Sequence, residues 1–403
     1  MNPHAITGCG VVSTLGIGRR AFFEGLRSGA RGAFRDAPVE TFDPSKYSDV
    51  QVAEVRGFDP KKYLGDKGLR SLDRLSKLLI VAARLTLDDA GIKSGGVWRA
   101  PEGDARGPWP DRVGIVVANA YGSLEAISEL DRVALLEDPR YINPARFPLT
   151  VSNSAAGYAS IWEDVRALNV TVSGGSCGAL DAMACSDLML ESGRADVLLV
   201  GGAEAMTEAL FVGFRRLGLA SPPPSAGDGA PSPGPRLGEG AALVALERRA
   251  SAASRAAKVL AECSGYGTAY EPPKHAASLV HASADALERA MHAALVDAGA
   301  KAADVDLVVS SISGLEPFDS AELAAIRRVL ADDVPVTAPK VDLGETLGAS
   351  GAMAILSAIA FLHDGAPPRP VGGTLRGPIR TALVTALGYY GSASALVLRR
   401  ASS

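Results

Sequence analysis

Histidine and cysteine are scarce in this chain, five and four residues among 403. Cys9, Cys177, Cys185 and Cys263 form no CxxC pair, and the histidines offer no metal-ligand spacing, so neither a zinc site nor any other bound metal is expected. So few thiols in so long a chain read as reduced, which points to a cytoplasmic protein. A basic excess is also missing. The net charge of -4 argues against a nucleic-acid binder. Met1 to Thr7 lacks the basic and apolar regions of a signal peptide, and no uninterrupted apolar run is long enough for a bilayer, so no membrane partner is expected. Aromatics are few, at 5%, against 47% hydrophobic and 21% charged residues, a soluble globular balance.

What is present alternates. Val113–Ala118 (VGIVVA), Val170–Val172 and Val197–Val200 (VLLV) are buried-strand patterns. Ser71–Ala90 reads as a helix, with Leu72, Leu75, Leu79, Ala82 and Ala83 on one stripe, Ser71 as cap and Gly91 as stop. Strands alternating with helices imply an α/β layered fold. Lys93–Pro110 and Ser221–Pro235 read as exposed loops.

A chain of this length exceeds one ordinary core. A polar, helical stretch around Glu247–Lys258 separates two halves of similar content, 1–250 and 251–403. The second half is expected to run helix (capped by Ser283, to Ala298), strand (Val305–Ser310), helices (Ala321–Leu330, Gly351–Phe361) and strand (Ala382–Ala386). Such doubling suggests a structural duplication, although no repeat shows at the residue level.

The segment Asn169–Glu204 carries the chemistry. A strand ends at Val172, a Ser-Gly-Gly-Ser-Cys-Gly turn follows, and a helix runs to about Glu191. Unsatisfied N–H groups at such a helix start can stabilise an anion and lower a thiol pKa. Equally, Gly174, Gly175 and Gly178 could serve packing alone, with Cys177 a small buried residue.

Several further motifs stand in order along the chain. They are AITGCGVVSTLGIG (Ala5–Gly18), the Leu72–Gly91 helix, Val113–Gly122, FPLTVSNSAAG (Phe147–Gly157), Gly238-Glu239-Gly240-Ala241-Ala242 and LGYYGSAS (Leu387–Ser394). Together they resemble the β-ketoacyl synthases over nearly the whole chain. The resemblance implies a thiolase-like fold, two similar α/β halves in a layered αβαβα arrangement. It also implies a Cys nucleophile and two His residues for condensation. This sequence departs at all three. Ser176 falls at the nucleophile position, and Cys177, about 100° further round a helix, does not replace it. In the loop Ser311–Ser320, Ile312 or Ser313 stands where the first His belongs. In Lys340-Val341-Asp342-Leu343-Gly344-Glu345, Glu345 stands at the second. Losing one oxyanion donor costs on the order of 3 kcal/mol, so losing two removes efficient decarboxylation. The five His that exist read as surface or capping residues.

By the same resemblance, Tyr389 gates the site and Phe211 and Phe214 line an acyl tunnel with Cys177 and Lys340, though aromatics at loop ends usually just pack. Val334–Lys340 is most similar to the chain-length factors, the β subunits of type II polyketide synthases. The expectation is therefore a non-condensing subunit that pairs with an active ketosynthase through the region Asn153–Val172. It would bind no cofactor of its own and work on the phosphopantetheine arm of an acyl carrier protein. A homodimer is the other pairing. The alternative function is an acyltransferase or thioesterase using Ser176, with Glu345 or a water as base.

Overall fold

A computed structural model describes residues 2–29, 39–47, 50–99, 110–220, 235–275, 280–365, 367, 370–375 and 377–401. Ten strands carry the architecture. Five come from the first half: β1 (His4–Ser13), β2 (Val113–Asn119), β3 (Asn169–Ser173), β4 (Val197–Glu204) and β5 (Gly240–Arg248). Five come from the second: β6 (Ala261–Tyr270), β7 (Leu307–Val309), β8 (Val336–Thr337), β9 (Thr381–Leu387) and β10 (Ser392–Arg400). They form one sheet in the order β8-β7-β9-β10-β6-β1-β5-β4-β2-β3. Counted from the outside inward, each half places its strands in the same order, third, second, fourth, fifth, first. The directions match as well: the outer pairings are parallel and the inner ones antiparallel. The halves meet where His4–Ile6 pairs antiparallel with Ala261–Cys263.

Among the helices of the described residues, those that frame the sheet and the site are α1 (Arg74–Asp89), α2 (Ser154–Glu163), α3 (Gly178–Glu191), α4 (Glu208–Arg216), α5 (Ala284–Asp297), α6 (Glu316–Val329) and α7 (Ser350–Asp364). The period of two along β2 explains the layering. Ile115 and Val117 face outward into a cluster with Leu75 and Leu79 of α1, while Val116 and Ala118 face inward onto Leu180 and Met183 of α3. In the second half Leu383 faces Leu287 and Met291 of α5, and Val384 faces the inner cluster with Ile355 and Ile359 of α7. Helices α3 and α7 therefore lie between the two inner sheet faces. The fold is the thiolase-like αβαβα arrangement.

The duplication does have a residue-level trace. Gly10 of β1 runs so close to α1 that a Cβ would collide with the Ala82 carbonyl and Thr86, and Gly267 of β6 does the same against Ala290 and Ala294 of α5. Two Gly-x-Gly strands, Gly8–Gly10 and Gly265–Gly267, thus admit the covering helix in each half.

Some expectations need correction. Asp73, not Ser71, caps α1 by accepting the Ser76 N–H, and Ser71 sits in a preceding single turn. The stretch Ser311–Ser320 is not all loop, because α6 begins at Glu316 with Pro317 in its first turn, where the missing N–H costs nothing. The strand expected over Val305–Ser310 is only Leu307–Val309. Glu247 still belongs to β5, and the helix after it is short, Arg249–Ser254. Lys93, expected on a surface loop, is 1% exposed, ion-paired with Glu163 beneath the Trp98 ring. Residues 100–109 and 221–234 of the two expected loops lie outside the described residues. Finally, Leu347–Asp364 is long and apolar enough to cross a membrane, but 89% of it is buried within the protein as the core helix between the sheets.

Candidate functional site

Ser176 sits in the one-turn helix Gly175–Cys177 that enters α3. Gly175 at φ 55 makes the turn after β3 possible without strain. Ser176 is 1% exposed. Its Oγ lies 3.5 Å from Glu345 Oε1, a contact at the outer limit of a hydrogen bond.

Glu345 arrives from the other half of the chain. It follows a single helical turn, Lys340–Leu343, and Gly344 at φ 83. Its backbone is pinned on both sides, its N–H to the Arg236 carbonyl and its carbonyl to the Gly238 N–H. The Gly238-Glu239-Gly240 motif therefore positions Glu345.

The Glu345 carboxylate is 2% exposed but well provided for. Lys340 Nζ donates to Oε2 at 2.6 Å, and Oε1 accepts from Ser350 Oγ at 2.6 Å and from the Leu347 N–H at 2.8 Å. The Tyr389 hydroxyl approaches Oε2 at 3.3 Å. Burial by itself would raise this carboxyl, but the Lys340 ammonium and these donors outweigh it and hold the group below the usual carboxylate range. Glu345 is thus a fixed anion. Burial, followed by the charge of Glu345, pushes the Tyr389 phenol well above its ordinary value, so Tyr389 stays a donor.

The interior beside Ser176 is almost filled. A void of about 10 Å³ remains, lined by Ser176, Ser310, Ser311, Lys340, Ser350 and Thr385 among others, and no histidine belongs to its lining. That is about one water at most. From the Ser311–Ser320 segment the residue that reaches this void is Ser311, not Ile312 or Ser313, and Ile312 packs in the outer cluster. Glu322 of α6 fixes Ser311, accepting its N–H at 2.9 Å and its hydroxyl at 2.7 Å.

Outside the void, a cavity of about 230 Å³ opens between Ala120, Tyr121, Ser173, Gly174, Leu347, Tyr389, Tyr390 and Ser392. Tyr389 walls this cavity while its hydroxyl reaches Glu345. Its ring packs edge-on to Phe214 at 5.6 Å and tilted to Phe318 at 5.2 Å.

The structure thus brings together Ser176, Glu345, Lys340, Tyr389 and Phe214. It does not bring in Phe211 or Cys177. Phe211 stacks on Phe42 at 5.3 Å and meets Tyr47 at 5.4 Å; three residues before Phe214, it lies on the same broad face of α4 but one turn away, with different neighbours. Cys177 turns toward the Ala386 carbonyl, 3.6 Å away, and burial beside Asp181 pushes its thiol up to about 12. Such a thiol is inert.

Ser350, Ser311, Phe318, Tyr121 and the Leu347 N–H are participants that sequence reasoning missed. Only Glu322, an acid on the apolar face of a helix, left a readable signal. The histidines are not all at the surface either. His4 is 1% exposed within β1, with Nε2 2.7 Å from Asp187 Oδ1. His4, Asp187 and Glu191 do gather their ligand atoms within 4.8 Å. Yet the buried His4 Nδ1 has no partner among the described residues, whereas a metal-bound imidazole normally donates through its second nitrogen.

Residues 1–252 match the family model of the β-ketoacyl synthase N-terminal domain, and residues 260–373 that of the C-terminal domain. The chain is 30% identical over 422 residues to a putative polyketide β-ketoacyl synthase 2 of Streptomyces coelicolor, covering 98% of this chain and 94% of that protein. It is 28% identical over 375 residues to the 3-oxoacyl-[acyl-carrier-protein] synthase 2 of Vibrio cholerae, covering 90% and 87%. Among solved structures, the ishigamide ketosynthase/chain length factor superposes with a TM-score of 0.86 at 24% identity over the full length of both chains. A β-ketoacyl synthase from Burkholderia phymatum gives 0.83 at 23%, again over both full lengths. This chain belongs to the β-ketoacyl synthase family.

Proposed function

We propose that the chain is a non-condensing ketosynthase-like subunit of the chain-length-factor kind, pairing with an active ketosynthase and serving an acyl carrier protein. One observation carries this reading. The position where a condensing enzyme needs a proton donor holds Glu345, an anion tied to Lys340 at 2.6 Å. An enolate forming beside it would meet a negative charge, not a donor. Ser176, at the position where the family resemblance places the nucleophile, faces a void of about 10 Å³, too small for an acyl group.

The pairing part of the reading rests on the surface around β3. This strand ends the sheet, so its outer edge has no strand partner among the described residues. On α2, which packs beside it, Ile161 is exposed, and an apolar side chain left in water next to an open strand edge is what an interface there would cover. Names of similar proteins agree in kind, since one matched structure is a ketosynthase/chain length factor. The arm of a carrier protein would reach the 230 Å³ cavity, where hydroxyls of Ser173, Tyr121, Tyr390 and Ser392 can meet its polar amides.

A second reading keeps Ser176 as a nucleophile, favoured by its contact with Glu345. Its base is poor, because Glu345 is held below the ordinary carboxylate range and its Oε1 already accepts two stronger hydrogen bonds. The test is reconstitution with malonyl-loaded carrier protein. Alone, this chain should release no carbon dioxide; mixed with an active ketosynthase of its family, it should give a stable complex and a product of defined length. Decarboxylation by the chain alone, or a covalent acyl adduct lost in Ser176→Ala, would overturn the proposal.

A further inference from the structure

Glu204 ends β4 with its carboxylate 1% exposed, and among the described residues no cation reaches it. It is held instead by backbone. Oε2 accepts the Ala120 N–H at 2.7 Å and the Gly348 N–H at 3.3 Å, and Oε1 accepts the Tyr121 N–H at 3.3 Å. These donors come from two segments far apart in the chain, the turn after β2 and the turn before α7. Both wall the 230 Å³ cavity, one through Ala120 and Tyr121, the other through Leu347. The second turn packs directly on the first, since Gly348 lies so close to the backbone of Asn119 and Ala120 that a Cβ would collide.

We infer that Glu204 is the positioning residue of this cavity, its carboxylate clasping the Tyr121 wall to the Leu347 wall and so setting the width between them. The inference concerns the cavity's shape and holds whatever occupies it, so it stands apart from the proposed function. An ionised carboxylate offers lone pairs to all three N–H groups, whereas the neutral acid turns an O–H toward donors and must give one of them up. The clasp is consequently strongest when Glu204 is charged.

Ionisation is opposed by burial above all, then by the neighbouring Glu345 anion, and the three N–H groups offset this only in part, leaving the group pushed up to about 7. The charged and titratable groups facing it are Glu345, itself paired with Lys340, and the Tyr121 phenol, which is hydrogen-bonded to Tyr390. The phenol is raised further by burial, so it stays neutral across this range. Glu345 is already ionised. Glu204 is thus the group that changes charge there near neutrality.

Amide hydrogen exchange on the full-length chain, read by mass spectrometry over peptides covering residues 118–123 and 345–350, tests this. After correction for intrinsic exchange, protection of both peptides should rise together by roughly tenfold between pH 6 and pH 8, following ionisation. In Glu204→Gln that rise should vanish and protection at pH 8 should fall, while peptides from α5 are unchanged. Protection that is independent of pH in the wild type, or equal at pH 8 in Glu204→Gln, would overturn the inference. Should Glu204→Gln not fold, the wild-type pH series decides alone.

Discussion

Replacing Lys340 by methionine removes the cation from a pair in which Lys340 is 8% and Glu345 2% exposed. Methionine keeps the stem packed but leaves Glu345 with the Leu347 N–H, the Ser350 and Tyr389 hydroxyls and the long contact from Ser176. Breaking a buried pair on one side costs about 3–5 kcal/mol near neutral pH. For a chain of this length that is a fall in melting temperature of roughly 4–6 °C. The pH dependence should change as well. In the wild type the Glu345 pKa is depressed, so its contribution is present above the unfolded value and lost as the pH falls through the folded one. Without Lys340, burial dominates and the pKa rises, so the variant loses stability as the pH climbs from 5 to 7. Thermal melts of wild type and Lys340→Met at pH 5, 6 and 7 should therefore diverge with rising pH. The double variant Lys340→Met/Glu345→Gln should recover most of the loss, because no uncompensated charge stays buried. A Lys340→Met protein within 1 °C of the wild type at every pH would refute the fixed-anion account of Glu345.

Other outcomes follow from the same geometry. Ser176→Cys should not restore condensation, measured as carbon dioxide release from malonyl thioester, because a thiol alone supplies no donor for the enolate. In the native protein at pH 8, Cys177 should escape iodoacetamide and react only after denaturation, as a peptide map would show. Tyr389→Ala should destabilise by about 3–5 kcal/mol by opening a cavity between Phe214 and Phe318, and Tyr389→Phe by about 1 kcal/mol or less, both read by denaturant titration. On α2, Ile161→Asp should leave the melting temperature unchanged and abolish association with the partner ketosynthase in gel filtration.

Local signals accounted for much of the architecture. The buried-strand runs at Val113 and Val197, the capped helix after Ser283 and the glycine turn before α3 stand where patterning placed them. Motif order was enough to recognise the family, and position alone drew attention to Ser176 and Glu345. Such features depend on residues within a few turns of one another, so a linear text contains them.

Convergence is a different matter. Ser176 and Glu345 are 169 residues apart in sequence, and nothing local says that Lys340 pairs with Glu345, that Phe214 reaches Tyr389 while Phe211 turns to Phe42, or that Glu204 joins two distant turns. His4 and Lys93, polar by composition, became core residues because packing supplied each with a carboxylate. Those outcomes depend on which faces meet when two sheet halves close over α3 and α7, a long-range choice decided by the burial of many side chains at once. The amino-acid order determined the family and that neither Ser311–Ser320 nor Lys340–Glu345 contains a histidine. Only the tertiary structure decided that the site is closed, anionic and filled.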